Sequence, residues 1–264
     1  MPEGDNVWFQ ARLLRRALAG QRLTRCDIRV PRYATVDFTG SMVDAVESRG
    51  KHLLIRVAGH IIHSHLKMEG TWQVYPAAEQ RWHRPAHTAR CILGTQHATA
   101  VGFSLGLLEV LPQDQEAAAV GHLGPDLLGP DWDAEEALRR LSAQPERAVG
   151  LALLDQRNLA GIGNIYRNEL CFLAGVHPAI PVDQVSGLER MVDQAKRLLE
   201  ANKDRPRSTT GGPARGDAAL WVYGREGKPC KRCGSLIRYG TLGETAEPTQ
   251  TRGIYFCPHC QPAP

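Results

Sequence analysis

The sequence predicts an α+β chain of several domains: an N-terminal β-sandwich with a leading helix, a C-terminal helical domain and a zinc-finger β-hairpin. Three observations carry this. Short apolar or alternating runs separated by Gly and Pro fill residues 22 to about 110. A helical period replaces them from Asp133. Two Cys-x2-Cys knuckles close the chain.

The leading helix is expected over 3–19. Val7, Ala11, Leu14 and Leu18 form one apolar stripe, while Arg12, Arg15 and Arg16 lie off it. Gly20 ends it, and Pro2 stands where a missing N–H costs nothing. Strands are expected at Asp27–Val30, Met42–Glu47, His52–Val57, Ile61–His65 and Thr71–Tyr75, with Ala58-Gly59 as a hairpin turn. Three prolines and three glycines within 112–132 suggest a linker. Helices are expected at 133–142, 147–156, 163–173 and 184–201. Residues 202–217 lack any period and suggest a basic, mobile loop. The expected domains are 1–111, a linker 112–132, 133–220 and 221–264.

With 264 residues, 42% hydrophobic and 23% charged, the chain is of ordinary globular composition, which excludes wholesale disorder. No run of 18 apolar residues predicts a membrane span, and Met-Pro-Glu-Gly-Asp lacks the features of a secretory signal. A cytosolic, reducing location is expected, so the seven cysteines are not read as a disulfide set. The net charge of +4 is unevenly spread. Residues 1–60 carry ten Lys/Arg against six acids, 111–148 three against eight, and 201–264 ten against five. Two basic ends around an acidic middle suit a shared polyanion, although ordinary surface variation produces such patterns too.

Cys230-x2-Cys233 and Cys257-x2-Cys260 offer four thiolates, the donor set of a closed, structural zinc site. Cys26, Cys91 and Cys171 lie in apolar contexts and read as core residues. Arg252 stands in the stem of the zinc hairpin, suited to a phosphate or a base or simply solvated. In Leu153–Tyr166 an Ala-Gly-Ile-Gly-Asn turn joins two helices. Asn164 would open the second, leaving its N–H groups for an anion or serving as a plain cap. Removal of Met1 would leave Pro2 as a secondary amine at the head of a helix, whose dipole disfavours the protonated form. Such an amine can attack C1′ of a sugar, with Glu3 beside it for proton transfer. Alternatively, Met-Pro-Glu is no more than a good helix start.

The Pro-Glu-Gly opening, the sandwich, the Leu-Asp-Gln…Ala-Gly-Ile-Gly-Asn turn and the four-cysteine finger, in this order over nearly the whole chain, resemble the bacterial formamidopyrimidine-DNA glycosylase/endonuclease VIII family. Pro-Glu-Gly is similar to the endonuclease VIII branch. Asp5, where that branch often has proline, resembles an actinobacterial-type subgroup. The resemblance implies a helix–two-turn–helix domain at 133–220, Pro2 as Schiff-base nucleophile and Glu3 as acid/base. It implies Lys51 as a catalytic residue that contacts the phosphate beside the lesion and polarises the site, Asn164 and Arg252 as phosphate contacts, and Met68 as a plug for the hole left by an extruded base. It also implies one structural Zn²⁺ on Cys230, Cys233, Cys257 and Cys260. The partner implied is damaged DNA, and a monomer in the bacterial cytosol suffices.

The chain departs from the formamidopyrimidine branch at Phe103-Ser104-Leu105-Gly106, where that branch has Arg-Arg-Phe-Gly, leaving Leu105 as the expected second plug. It also lacks a lysine in Val149-Gly150-Leu151-Ala152. The missing arginine removes the group that would hydrogen-bond the orphan base, and the missing lysine favours oxidised pyrimidines over oxidised purines. The expected activity is therefore a bifunctional glycosylase/AP lyase acting by β,δ-elimination. The alternatives are an oxidised-purine glycosylase and a non-catalytic zinc-containing DNA-binding protein.

Overall fold

The computed structural model describes residues 2–79, 81–205, 210–211, 219–244 and 251–264. Most of the loop expected at 202–217 lies outside the described residues. The chain forms two compact units, one of residues 1–2 and 6–122, the other of residues 3–5 and 123–264.

Helix α1 (Gly4–Leu18) begins with residues grouped in the second unit and continues into the first. Its expected stripe of Val7, Ala11, Leu14 and Leu18 is buried. Each large apolar side chain so buried contributes roughly 1.5–3 kcal/mol. The first unit contains two four-stranded antiparallel sheets. One has the order β1 (Arg25–Ile28), β6 (Ala89–Gly94), β7 (Ala98–Phe103), β5 (Thr71–Pro76). The other runs β2 (Val43–Arg49), β3 (His52–Val57), β4 (His60–His65), β8 (Leu107–Pro112). Leu53, Ile55, Ile62, Leu93 and Ala100 share one core with the α1 stripe. Ala58 (φ 50°) and Gly59 (φ 72°) are both left-handed, the backbone a two-residue type I′ turn requires between β3 and β4.

The segment read as a linker is not free chain. Helix α2 (Glu116–Val120) occupies part of it. Beyond His122 the chain packs into the second unit, where Leu123, Leu127 and Leu128 are buried. Leu127 N donates to Ala160 O at 3.1 Å, and Ala160 N to Pro125 O at 2.9 Å.

The second unit holds α3 (Ala134–Leu141), α4 (Val149–Ala152), α5 (Asn164–Ala174), α6 (Leu188–Asn202) and a hairpin of β9 (Arg238–Leu242) with β10 (Arg252–Phe256). The helix expected over 147–156 shrinks to one turn. Side chains beyond it satisfy the backbone locally: Asp155 accepts from Arg157 N at 3.0 Å and Asn158 donates to Ala152 O at 2.9 Å. The first hairpin strand starts later than the expected Ser235, because the knuckle uses that stretch. Cys230 N bonds Ser235 O at 2.8 Å, and Ile237 N bonds Lys228 O at 3.0 Å. No helix among the described residues is long and apolar enough to cross a membrane.

Candidate active site

In the first unit, Gly50 (φ 56°) and Lys51 form the two-residue turn between β2 and β3, with Arg49 opposite His52. Glycine with positive φ at the first turn position is the type II′ requirement, and it presents Lys51 at the hairpin tip. Pro2 is half-buried, and Met1 lies outside the described residues. Lys67 adopts a left-handed conformation (φ 54°), and the next side chain, Met68, is 67% exposed. Leu105, expected as a second plug, does not join it. At 8% exposure it packs in the sandwich core against Gly102, so the turn at Ser104 (φ 47°) sends it inward.

Next to Lys51 stands a histidine cluster that sequence reading missed. His52 Nδ1 lies 2.8 Å from His63 Nε2, and His63 Nδ1 lies 2.7 Å from Glu109 Oε1. His65 and His122 set their rings edge-on to His52. Burial, then the neighbouring His65, His63, His122 and Lys67, push His52 down to about 3. Burial, then Lys67, Lys51 and His63, push His65 down to about 4. The period-2 placement of His63 and His65 on β4 was the available signal, but only strand pairing brings Glu109 and His52 beside them.

In the second unit the Glu3 carboxylate is buried (1% exposed) on the N-terminus of α5. It accepts from Gly163 N at 2.8 Å, Ile165 N at 2.6 Å and Tyr166 N at 3.3 Å. These are the orphan donors of a helix start, and an internal anion fills them. The expectation that they await an external anion is therefore corrected. Two glycines permit the approach. A Cβ on Gly163 would fall 2.4 Å from the Glu3 carboxyl carbon, and one on Gly4 would fall 2.9 Å from Gly161 Cα. Tyr166 Oη donates to Asp5 at 2.8 Å beside them.

Asn164 is the first residue of α5, and Gly163 holds the cap position. Its amide donates to Gly253 O at 3.1 Å, and its oxygen accepts from Arg167. Arg167, buried and lowered to about 10 by that burial, also donates to Gly253 O at 2.8 Å. Asn164 is thereby tied to the residue next to Arg252, which opens β10 opposite Leu242. Two further buried residues of α5 anchor the hairpin and the segment that leads into it. Asn168 accepts from Tyr255 N at 2.7 Å, and Glu169 from the backbone of Trp221, Val222 and Tyr223 at 2.8–2.9 Å. A helix of mixed polar and apolar residues gave no sign of these roles in advance.

The thiols of Cys230, Cys233, Cys257 and Cys260 lie within 4.8 Å of one another and could hold a metal ion. Cys91 and Cys171 are buried and Cys26 is half-buried. Burial pushes the Cys171 thiol up to about 12, which suits an inert core residue.

Comparison with known proteins follows the same division. Residues 1–104 match the formamidopyrimidine-DNA glycosylase N-terminal domain, and residues 123–210 the formamidopyrimidine-DNA glycosylase H2TH domain. The chain is 56% identical to a probable endonuclease 8 2 of Streptomyces coelicolor, covering 100% of this chain and 95% of that one. It is 49% identical to the DNA-(apurinic or apyrimidinic site) lyase Nei2 of Mycolicibacterium smegmatis, covering 100% of both. Among solved structures it resembles MutM in complex with DNA containing carbocyclic 8-oxo-G, at TM-score 0.79 and 24% identity over 99% of this chain and 100% of that one. It also resembles the Lactococcus lactis Fpg bound to abasic-site DNA, at TM-score 0.78 and 23% identity, with the same coverage. By its two matched domains and its full-length relatives, the chain belongs to the formamidopyrimidine-DNA glycosylase family.

Proposed function

We propose that the protein is a bifunctional DNA glycosylase/AP lyase of base excision repair that removes oxidised pyrimidines from damaged DNA. The observation that carries this is full-length identity of 49–56% to relatives named endonuclease 8 and apurinic/apyrimidinic lyase. Relatives named formamidopyrimidine-DNA glycosylase, such as that of Bacillus subtilis, stand at 31%. The absence of the purine branch's lysine from Val149–Ala152 points the same way.

In the proposed chemistry Pro2, freed of Met1, attacks C1′ of the damaged nucleotide. The base leaves with its bonding pair and takes a proton, and the ring opens to an iminium. The iminium acidifies the C2′ proton. Its removal expels the 3′ phosphate by β-elimination, and a second elimination expels the 5′ phosphate. Water then hydrolyses the imine and restores the amine. Glu3, adjacent to Pro2 and fixed by three backbone donors, is suited to move these protons. Lys51, Asn164 and Arg252 hold phosphates around the extruded nucleotide, and the exposed Met68 fills the vacated stack. Leu105 is left out of the plug because its side chain is buried.

The four clustered thiols suit tetrahedral zinc. Cys230, Cys233, Cys257 and Cys260 would hold it, and its contribution is to cross-link the hairpin that carries Arg252. The protein acts as a monomer in the cytosol, on the nucleoid.

Borohydride reduction with abasic or 5-hydroxyuracil duplex tests the reading. A covalent protein–DNA adduct is expected, with much less from Pro2→Gly. Equal trapping by both proteins overturns the amine assignment. Faster cleavage of 8-oxoguanine than of 5-hydroxyuracil duplexes overturns the pyrimidine assignment.

A further inference from the structure

The His52–His63–Glu109 chain has a hydrogen-bond logic of its own. Glu109 can only accept while ionised, so His63 presents Nδ1–H to it. In neutral His63 the other nitrogen, Nε2, then carries a lone pair. His52 must therefore offer Nδ1–H across the 2.8 Å contact, which leaves its own Nε2 as an acceptor. The two ring planes are inclined by 21° with centroids 5.0 Å apart, a spacing that suits an end-to-end N–H···N bond.

One added proton inverts this pattern. Protonated His63 donates from both nitrogens, to Glu109 and to His52 Nδ1. His52 stays neutral but must carry its hydrogen on Nε2, which becomes a donor. The charge rests on His63, buried at 1% exposure and paired with a carboxylate at the sheet's edge strand. No net charge is placed on His52, which already faces the Lys67 ammonium.

The surrounding groups are those that bind a phosphodiester. Lys51 at the β2–β3 turn, Arg49 on β2, His65 on β4, Lys67 after it and His122 beyond α2 complete the set around the relay, with Glu109 on β8 the acid that pairs with it. Phosphate oxygens only accept hydrogen bonds. A phosphodiester arriving at this face therefore meets an acceptor on His52 in the unprotonated relay and a donor in the protonated one.

We propose that His52, His63 and Glu109 form a tautomer relay that couples docking of a DNA phosphodiester at His52 Nε2 to the uptake of a proton held between His63 and Glu109. His52 is a positioning residue for the phosphate beside Lys51. The inference rests on the glycosylase reading for the identity of the anion, but not on Pro2 chemistry. The proton comes from solvent and returns to it when the product leaves, so the cycle balances. Binding consequently tightens as pH falls, because the bound state holds more protons than the free one.

Calorimetric titration with a duplex bearing tetrahydrofuran, a stable abasic analogue, in buffers of different ionisation enthalpy tests it at pH 7.5. The expected result is a binding enthalpy that varies with buffer in the unaltered protein, reporting proton uptake. Glu109→Gln, which keeps an acceptor for His63 but cannot neutralise its cation, is expected to lose most of that variation. Imidazole nitrogen NMR of the unaltered protein is expected to show His52 Nε2 changing from a lone-pair to an N–H nitrogen on binding, a readout needing no variant. Binding with no buffer dependence, or with an unchanged His52 tautomer, overturns the relay. Failure of borohydride trapping in a preparation that still takes up protons overturns the glycosylase reading alone, and absence of any duplex binding overturns both.

Discussion

Glu3 is an acceptor facing three donors, so a glutamine there would turn an amide N–H₂ toward at least one backbone N–H. Glu3→Gln is expected to lose about 1–3 kcal/mol of stability through the unmet donor, read as a lower Tm, as well as losing elimination activity. Met68 and Leu105 separate in the same way. Leu105→Ala, in the core, is expected to cost about 2–5 kcal/mol, whereas Met68→Ala, on an exposed side chain, should leave stability within about 0.5 kcal/mol and weaken duplex binding. Urea unfolding and a binding titration on both variants check this contrast. Asp155 shows the pH counterpart. Burial would raise its carboxyl, but Arg157 and Arg147 outweigh burial and hold it well below the ordinary range. A depressed folded value stabilises above the unfolded one, about 3.9, and that gain disappears as pH falls toward the folded value. Asp155→Asn should therefore melt below the unaltered protein at pH 7, and the gap should close on acidification; a constant gap would refute the ion-pair account.

At the scale of elements, the sequence revealed apolar periods well and polar anchoring poorly. The α1 stripe, the β3–β4 hairpin at Ala58-Gly59 and the paired knuckles were legible because each is a local pattern of one residue type. The one-turn α4 was not, because Asp155, Gln156 and Asn158 bond the backbone in place of helix continuation. Nor was the occupation of the α5 N-terminus, which depends on a carboxylate about 160 residues away. The candidate site residues stand out in the sequence by type and position, with their roles resting on the proposed function; the histidine cluster, built by register across β3, β4 and β8, does not. The α5 contact with Glu3 makes Gly163→Ala a sharp test of the element. The added Cβ would meet the Glu3 carboxyl at 2.4–2.7 Å, so the side chain must leave its three donors. Loss of elimination with retained hairpin metal is expected, measured by strand cleavage and metal content.

On the scale of the molecule, the four-cysteine hairpin and α5 form one connected assembly. Ile237, Cys230 and Cys257 share a small core with Phe172 and Val222, while Asn168 and Glu169 fix the backbone. A strong chelator, stripping the metal proposed for these four thiols, should therefore loosen the hairpin and abolish duplex binding, while the first unit's strand content persists in circular dichroism. The placement of Glu3 also bears on synthesis. Its backbone donors lie 160 to 163 residues further along the chain, so they emerge well after it during synthesis. At ribosomal speeds that interval is on the order of 10–30 seconds. Throughout that interval the Glu3 carboxylate has no seat, so this buried contact is among the last made as the chain is synthesised.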